Sequence, residues 1–277
     1  MRFGHALLAA AALSALTPAC AKPPPADSPL QYTENAKRDY DEALDAFFDR
    51  DWELTITLMQ EVKRQYGYSR YARLADLRIA DAQYHQEKWA EAIGSYKAFV
   101  HDFPNDPEVP YARYKIAKSL FEQSGQSILL PPLEERDLAS VHEAYATVRA
   151  MLQDYPGYKH SRELEFMLES VAGLLARHEI FVARFYLKED NFKAAVARCQ
   201  YALRHYEGSG LEAEAMLLLG ETYMKMKKRR KARAVFEQLL ATYPQSPFET
   251  PARGFLKMLG GGSVAPAPGS PPGKAAH

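Results

Sequence analysis

The sequence predicts an all-α protein, a solenoid of about five stacked helix pairs, and three observations predict it. An aromatic residue followed by a helix-breaking turn recurs in RQYGYS (64–69), HDFPND (101–106), QDYPGY (153–158), RHYEGS (204–209) and ATYPQS (241–246). Twelve residues before the breaking position stand Thr55, Ala92, Ala144, Ala195 and Ala232, and eight before it stand Met59, Tyr96, Val148, Cys199 and Phe236. Residues four apart share one helix face, so each segment presents a small and then a large side chain to the same neighbour. No run alternates polar and apolar residues long enough to make a sheet.

Taken in order, the chain opens with Arg2, an apolar stretch ALLAAAALSAL (6–16) and TPAC ending at Cys20. This is the layout of a signal peptide, 1–19. The apolar run falls short of the roughly 20 residues that span a bilayer. LTPAC resembles a bacterial lipobox, which implies that Cys20 becomes the lipid-modified first residue of the mature protein. The alternative is an ordinary secretory signal cut near Ala19. Proline-rich residues 20–30 read as a tether, 31–259 as the folded body, and the Gly, Pro, Ala and Ser of 260–277 as a disordered tail. Lys plus Arg and Asp plus Glu number 35 each, so no overall field favours nucleic acid. Loss of residues 1–19 removes only Arg2, leaving 34 basic and 35 acidic side chains, a net charge of −1. Cys20 and Cys199 are too far apart to suggest a disulfide framework or metal-ligand spacing.

Within the body, a second set of small residues, Ala43, Ala80, Ala183 and Gly220, lies twelve positions upstream of the first, with Trp52, Trp89 and Phe192 between the two. This spacing resembles the tetratricopeptide repeat, which implies a right-handed superhelix. Small residues at both crossing points let two helices approach to the short end of the roughly 8–10 Å interaxial range. One such hairpin cannot bury its own face, so neighbours must stack. The repeats fall at approximately 34–68, 70–106, 109–158, 160–209 and 211–246. Two are longer than the rest. The third carries a proline-containing insertion, SGQSILLPPLEER (124–136), and the fourth a lengthened first helix, about 161–188.

Few constellations suggest chemistry. His178 and Glu179 begin a zinc-protease pattern, but the second histidine it needs one turn later is Val182, so no metal site is expected. Leu174, Leu175, His178, Phe181, Val182 and Phe185 instead read as a helix face packed against its neighbour. No phosphate loop or nucleophile elbow is present, and no catalytic residue is assigned. The basic run KMKKRRKAR (225–233) suits either acidic lipid headgroups or an acidic protein surface, and it reads equally as a solvated turn balanced by Glu221 and Glu237. Tyr40, Phe47, Asp81, Tyr84 and His85 are expected in the concave groove of the first two repeats, where aromatic and polar groups suit an extended or helical peptide.

The lipobox, the tether and five such repeats together resemble the BamD family of outer-membrane assembly lipoproteins. LARHEIFVARFYLKEDNFKAAVARCQYALRHY (175–206) is similar to that family's fourth repeat. AIGSYKAFVHDFPNDPEVPYARYKIAKS (92–119) and the pair Arg136, Asp137 also match, while Glu207 and Gly67 stand where the pattern has proline. The resemblance covers about 31–250. It implies a non-enzymatic scaffold on the periplasmic face of the outer membrane, with no cofactor beyond the lipid on Cys20. Its implied partners are the periplasmic domains of a BamA-like barrel subunit, contacted at Arg198, other assembly lipoproteins, and C-terminal segments of unfolded barrel proteins at the groove around Tyr40 and Tyr84. Another envelope complex, of cell division, secretion or peptidoglycan machinery, is the alternative setting. Without the resemblance, Arg198 reads equally as half of an intrachain ion pair.

Overall fold

The structure, a computed structural model, describes residues 28–125 and 138–260. Among them are eleven α-helices and no strand: α1 (Pro29–Phe48), α2 (Trp52–Gln65), α3 (Arg70–His85), α4 (Trp89–Asp102), α5 (Val109–Gly125), α6 (Ala139–Asp154), α7 (Ser161–Lys188), α8 (Phe192–His205), α9 (Glu212–Lys225), α10 (Arg229–Thr242) and α11 (Glu249–Met258). Each helix packs on the next in the chain, and α1 on α3, α5 on α7 and α7 on α9 also touch. The first ten therefore form the five expected pairs, and α11 lies against α10 as a closing element. No described helix is long and apolar enough to cross a membrane.

The two sets of positions read from the spacing form the core. Thr55, Ala92, Ala144, Ala195 and Ala232 are fully buried, as are Met59, Tyr96, Val148, Cys199 and Phe236. So are Ala43, Ala80 and Ala183 on the opposing helices. At Gly220 there is no room for a Cβ, which would approach the Phe236 ring carbons more closely than van der Waals contact allows. The buried residues divide into four clusters along the stack, as expected when each pair completes its neighbour's core.

Four turns inside the repeats are built without glycine or proline, the third repeat's lying outside the described residues. Arg50, Glu87, Asp190 and Lys227 each adopt a left-handed backbone, with φ between 54° and 62°. The residue after each donates its N–H five positions back, Asp51 to Ala46, Lys88 to Gln83, Asn191 to Tyr186 and Lys228 to Tyr223, at 2.9–3.0 Å. This closure satisfies carbonyls that the ending helix would otherwise leave open.

Three expectations are corrected. The folded body begins at Pro29 rather than 31, because the Ser28 hydroxyl accepts the Gln31 N–H at 3.2 Å and proline suits the first helical position. The third-repeat insertion starts later, since α5 runs through Gly125, and 126–136 lie outside the described residues. The buried stripe of α7 is Leu164, Met167, Val171, Ala172, Leu175, Ala176, Glu179, Ile180 and Ala183. Phe181 and Phe185, expected to pack inward, stand exposed, because the 3.6-residue period carries the stripe through 176 and 180 rather than 178 and 182. Cys20 and most of the tail also lie outside the described residues.

Gly220→Val should lower stability by about 1–3 kcal/mol through overpacking against Phe236, read from the urea midpoint with the m-value unchanged.

Candidate peptide groove and partner face

The groove is organised around Asp81, which is 1% exposed. Its carboxylate accepts the phenol hydroxyls of Tyr96 at 2.5 Å and Tyr111 at 2.6 Å. Arg78 Nη1 lies 2.8 Å and Lys115 Nζ 3.7 Å from it. Helical spacing assembles the set: Arg78 and Asp81 stand three apart on α3, Tyr111 and Lys115 four apart on α5, and Tyr96 comes from α4. Two cations converge on one carboxylate, leaving one positive charge in excess. Burial and the adjacent carboxylate push the phenols of Tyr96 and Tyr111 well above the usual range, so both remain donors. Burial opposes the charge on Arg78, and Asp81 together with the Tyr40, Tyr111 and Tyr96 phenols outweighs it, whereas burial dominates at Lys115 and lowers its pKa.

An aromatic ladder runs beside this cluster, across the turns of the first two repeats. The Phe47 ring meets Trp52 edge-on at 5.3 Å, Trp52 stacks on His85 at 4.7 Å, Tyr84 meets His85 at 5.6 Å, and Trp89 meets Tyr84 at 4.9 Å. Lys115 Nζ sits 3.7 Å from the Tyr84 ring centre, a cation–π contact that ties ladder to charge cluster. Burial pushes the Tyr84 phenol up to about 12. Burial and then Lys115 hold the His85 imidazole below its ordinary pKa.

The five residues expected in the groove do converge, in two layers. Phe47 and Tyr84 are partly exposed and His85 is open. Asp81 and Tyr40 lie behind them as buried wall, Tyr40 with its ring 5.6 Å from Tyr71. Arg78, Tyr111 and Lys115 were missed, although Arg78 is one turn before Asp81 and the i, i+4 pair Tyr111 and Lys115 is visible in VPYARYK. Trp52 and Trp89, noticed as repeat aromatics, are ladder members as well.

The second surface surrounds Arg198 on α8. Its Nη1 donates to both carboxylate oxygens of Glu179 on α7, at 3.3 and 3.2 Å. Glu179 is buried, so the pair answers the charge of an otherwise isolated interior carboxylate. Arg198 remains 43% exposed and thus keeps an open side. Tyr186 favours the charge of the guanidinium, and its ring lies 5.7 Å from Phe185, which is 54% exposed. Phe181, one turn earlier, is exposed too. Both phenylalanines, which the spacing assigned to packing, stand about 160° and 120° around α7 from Glu179, away from the side that Arg198 meets. Neighbouring Cys199 is buried, and burial pushes its thiol up to about 12, so it is inert at neutral pH.

A stack of two-helix repeats, with a buried charge cluster and aromatic ladder near one end and a half-exposed arginine near the other, defines a helical-repeat protein. A family model described as "YfiO: Outer membrane lipoprotein" matches residues 33–236, and the chain belongs to that family. It is 29% identical over 174 residues to "Outer membrane protein assembly factor BamD" of Caulobacter vibrioides, a match covering 63% of this chain and 55% of that one. The protein of the same description from Neisseria gonorrhoeae is 27% identical, covering 84% and 90%. That of Xylella fastidiosa strain 9a5c is 25% identical, covering 76% and 73%. The matched region thus spans little more than half the length of the Caulobacter relative and nearly all of the Neisseria one.

Asp81→Ala should destabilise the protein by about 3–5 kcal/mol, because it strands Arg78 and Lys115 without their shared carboxylate. Tyr84→Ala, at a partly exposed site, should cost less in the same denaturation series.

Proposed function

We propose that the chain is a non-enzymatic scaffold subunit of the machinery that assembles β-barrel proteins into the outer membrane. The observation that carries this reading is the family match over 33–236, which includes both recognition surfaces. A covalent lipid on Cys20 holds the protein to the periplasmic face of the outer membrane. The face around Arg198 binds the periplasmic domains of a BamA-like barrel subunit, and the groove receives C-terminal segments of unfolded barrel clients.

The chemistry of each surface supports its assignment. An extended segment ending in an aromatic residue and a carboxylate would find the Phe47 to Trp89 ladder for its ring and the excess positive charge of Arg78 and Lys115 for its terminus. A half-exposed arginine is a residue type enriched at interface centres, where Arg and aromatic residues carry most of the binding energy. The guanidinium's remaining donors suit a partner carboxylate.

Arg198→Ala should reduce co-purification of the barrel subunit at least about tenfold, the equivalent of some 1.4 kcal/mol, while secondary structure at working temperature is kept. Undiminished co-purification would remove Arg198 from the interface, and co-purification of a cell-division or secretion complex instead would reassign the scaffold. For the groove, a synthetic peptide with an aromatic C-terminal residue and free carboxylate should bind about tenfold more weakly to Tyr84→Ala than to the parent chain. Equal binding by the amidated peptide would exclude recognition of the terminus.

A further inference from the structure

The turn between α9 and α10 concentrates positive charge that nothing in the fold uses. Lys225, Lys227, Lys228, Arg229, Arg230 and Lys231 are all exposed. Among the described residues no ion pair reaches any of them, and Lys231 lies 5.7 Å from the Tyr223 ring centre. Arg233, the last cation of the run, turns inward instead and donates to the Leu259 carbonyl at 2.8 Å. The acids that might have balanced the run do not do so. Glu221 is half-buried and its charged neighbour is Arg184, and Glu237 forms no ion pair.

Comparison with the equivalent turns makes the excess specific. The helices that follow Arg50, Glu87 and Asp190 begin with Trp52, Trp89 and Phe192. Asp51 and Asn191 cap two of these helices through their side chains, and Glu53 and Glu91 supply acids in the first turns of α2 and α4. Helix α10 has neither device. Lys228 stands at its cap without a side-chain bond, and Arg229, Arg230 and Lys231 fill its first turn with no acid among them. Cations at a helix N-terminus oppose the helix dipole, so this arrangement lowers local stability rather than serving it.

We infer that this turn is a docking surface for a membrane leaflet of anionic lipid. The surface is a helix-to-helix turn with its six cations exposed. Four of its six cations are lysines, which protein interface cores disfavour but which meet headgroup phosphates as mobile point charges. No exposed aromatic lies in the turn to anchor a protein partner. The Arg233 bond brings the end of α11 alongside, adding exposed Lys257 and Met258, the latter 62% exposed, as one more cation and an apolar tip. If Cys20 carries the proposed lipid, the turn gives a second attachment at the far end of the repeat stack and lays the solenoid along the leaflet. That orientation rests on the proposed anchoring; the headgroup binding does not.

The test is co-sedimentation of the chain from residue 20 onward, carrying Cys20→Ser so that no lipid is attached, with phosphatidylcholine vesicles that contain either no phosphatidylglycerol or about one third of it. Binding is expected to the anionic vesicles alone and to fall steeply as salt rises toward about 1 M. Each cation near such a surface strengthens partition about fivefold, so Lys227→Gln, Lys228→Gln, Arg229→Gln and Arg230→Gln combined should weaken it at least about 100-fold. The melting temperature of this variant should hold or rise, since charges opposing the helix dipole are gone. A second variant, Lys225→Gln, Lys227→Gln and Lys231→Gln, leaves the cap residue in place and should lose about 50-fold or more. Equal binding to both vesicle types, no binding to the anionic ones, or undiminished binding by folded variants overturns the proposal. So does a variant that keeps vesicle binding but loses an acidic protein partner, which assigns the turn to that partner.

Discussion

The helices of each repeat can pack closely only because the residues at their crossing are small. Ala43, Ala80, Ala183 and Gly220 on the first helices, and Thr55, Ala92, Ala195 and Ala232 on the second, are the smallest side chains available there, and the alanines and Thr55 are fully buried. Close approach lets the residue one turn later, from Met59 to Phe236, fill the next space completely. Gly220 shows how little slack remains, since the Phe236 ring occupies the volume a Cβ would take. The groove and the Arg198 face inherit their geometry from this packing, because the residues lining them are the outward-facing neighbours of the crossing positions.

Within that frame Asp81 acts as a polar core for the groove. A carboxylate at this depth is tolerated only when its lone pairs are answered, and it recruits groups from three consecutive helices, α3, α4 and α5. The consequence is a wall whose side chains are already held in place, and such preorganisation lowers the ordering cost of binding for any ligand a surface receives. Lys115 transmits the arrangement to the surface, one face toward Asp81 and the other over the Tyr84 ring. The buried carboxylate therefore sets where the accessible aromatic surface lies without itself being accessible.

The repeat register was legible because crossing helices demand small residues at fixed separations, and such a demand leaves a mark on every copy. The turns between repeats were legible for a similar reason, as proline and glycine punctuate them. The turns inside the repeats were not, since Arg50, Glu87, Asp190 and Lys227 adopt left-handed backbone with unremarkable side chains, held by the carbonyl closure around them. Groove membership was half legible: aromatic and polar residues at the right helix positions came together, but depth did not show, and Asp81 and Tyr40 lie in the wall. The face of α7 was misread because a helix of 28 residues drifts against any short-range pattern, and a one-residue error in phase exchanges buried Ile180 for exposed Phe181.

The pair formed by Arg198 and Glu179 shows why an intrachain ion pair and a partner contact are compatible readings of one arginine. Glu179 is buried, so withdrawing the guanidinium would leave an uncompensated interior charge. A partner carboxylate cannot simply replace it. Only Nη1 is engaged by Glu179, at distances of 3.2 and 3.3 Å, and Tyr186 steadies the group from the side. The remaining donors keep access to solvent, since the side chain is 43% exposed. An arginine so held loses less rotamer freedom on binding than a free one. Glu179 thereby holds a half-exposed arginine at a set position, a consequence of the buried charge that core packing alone does not give.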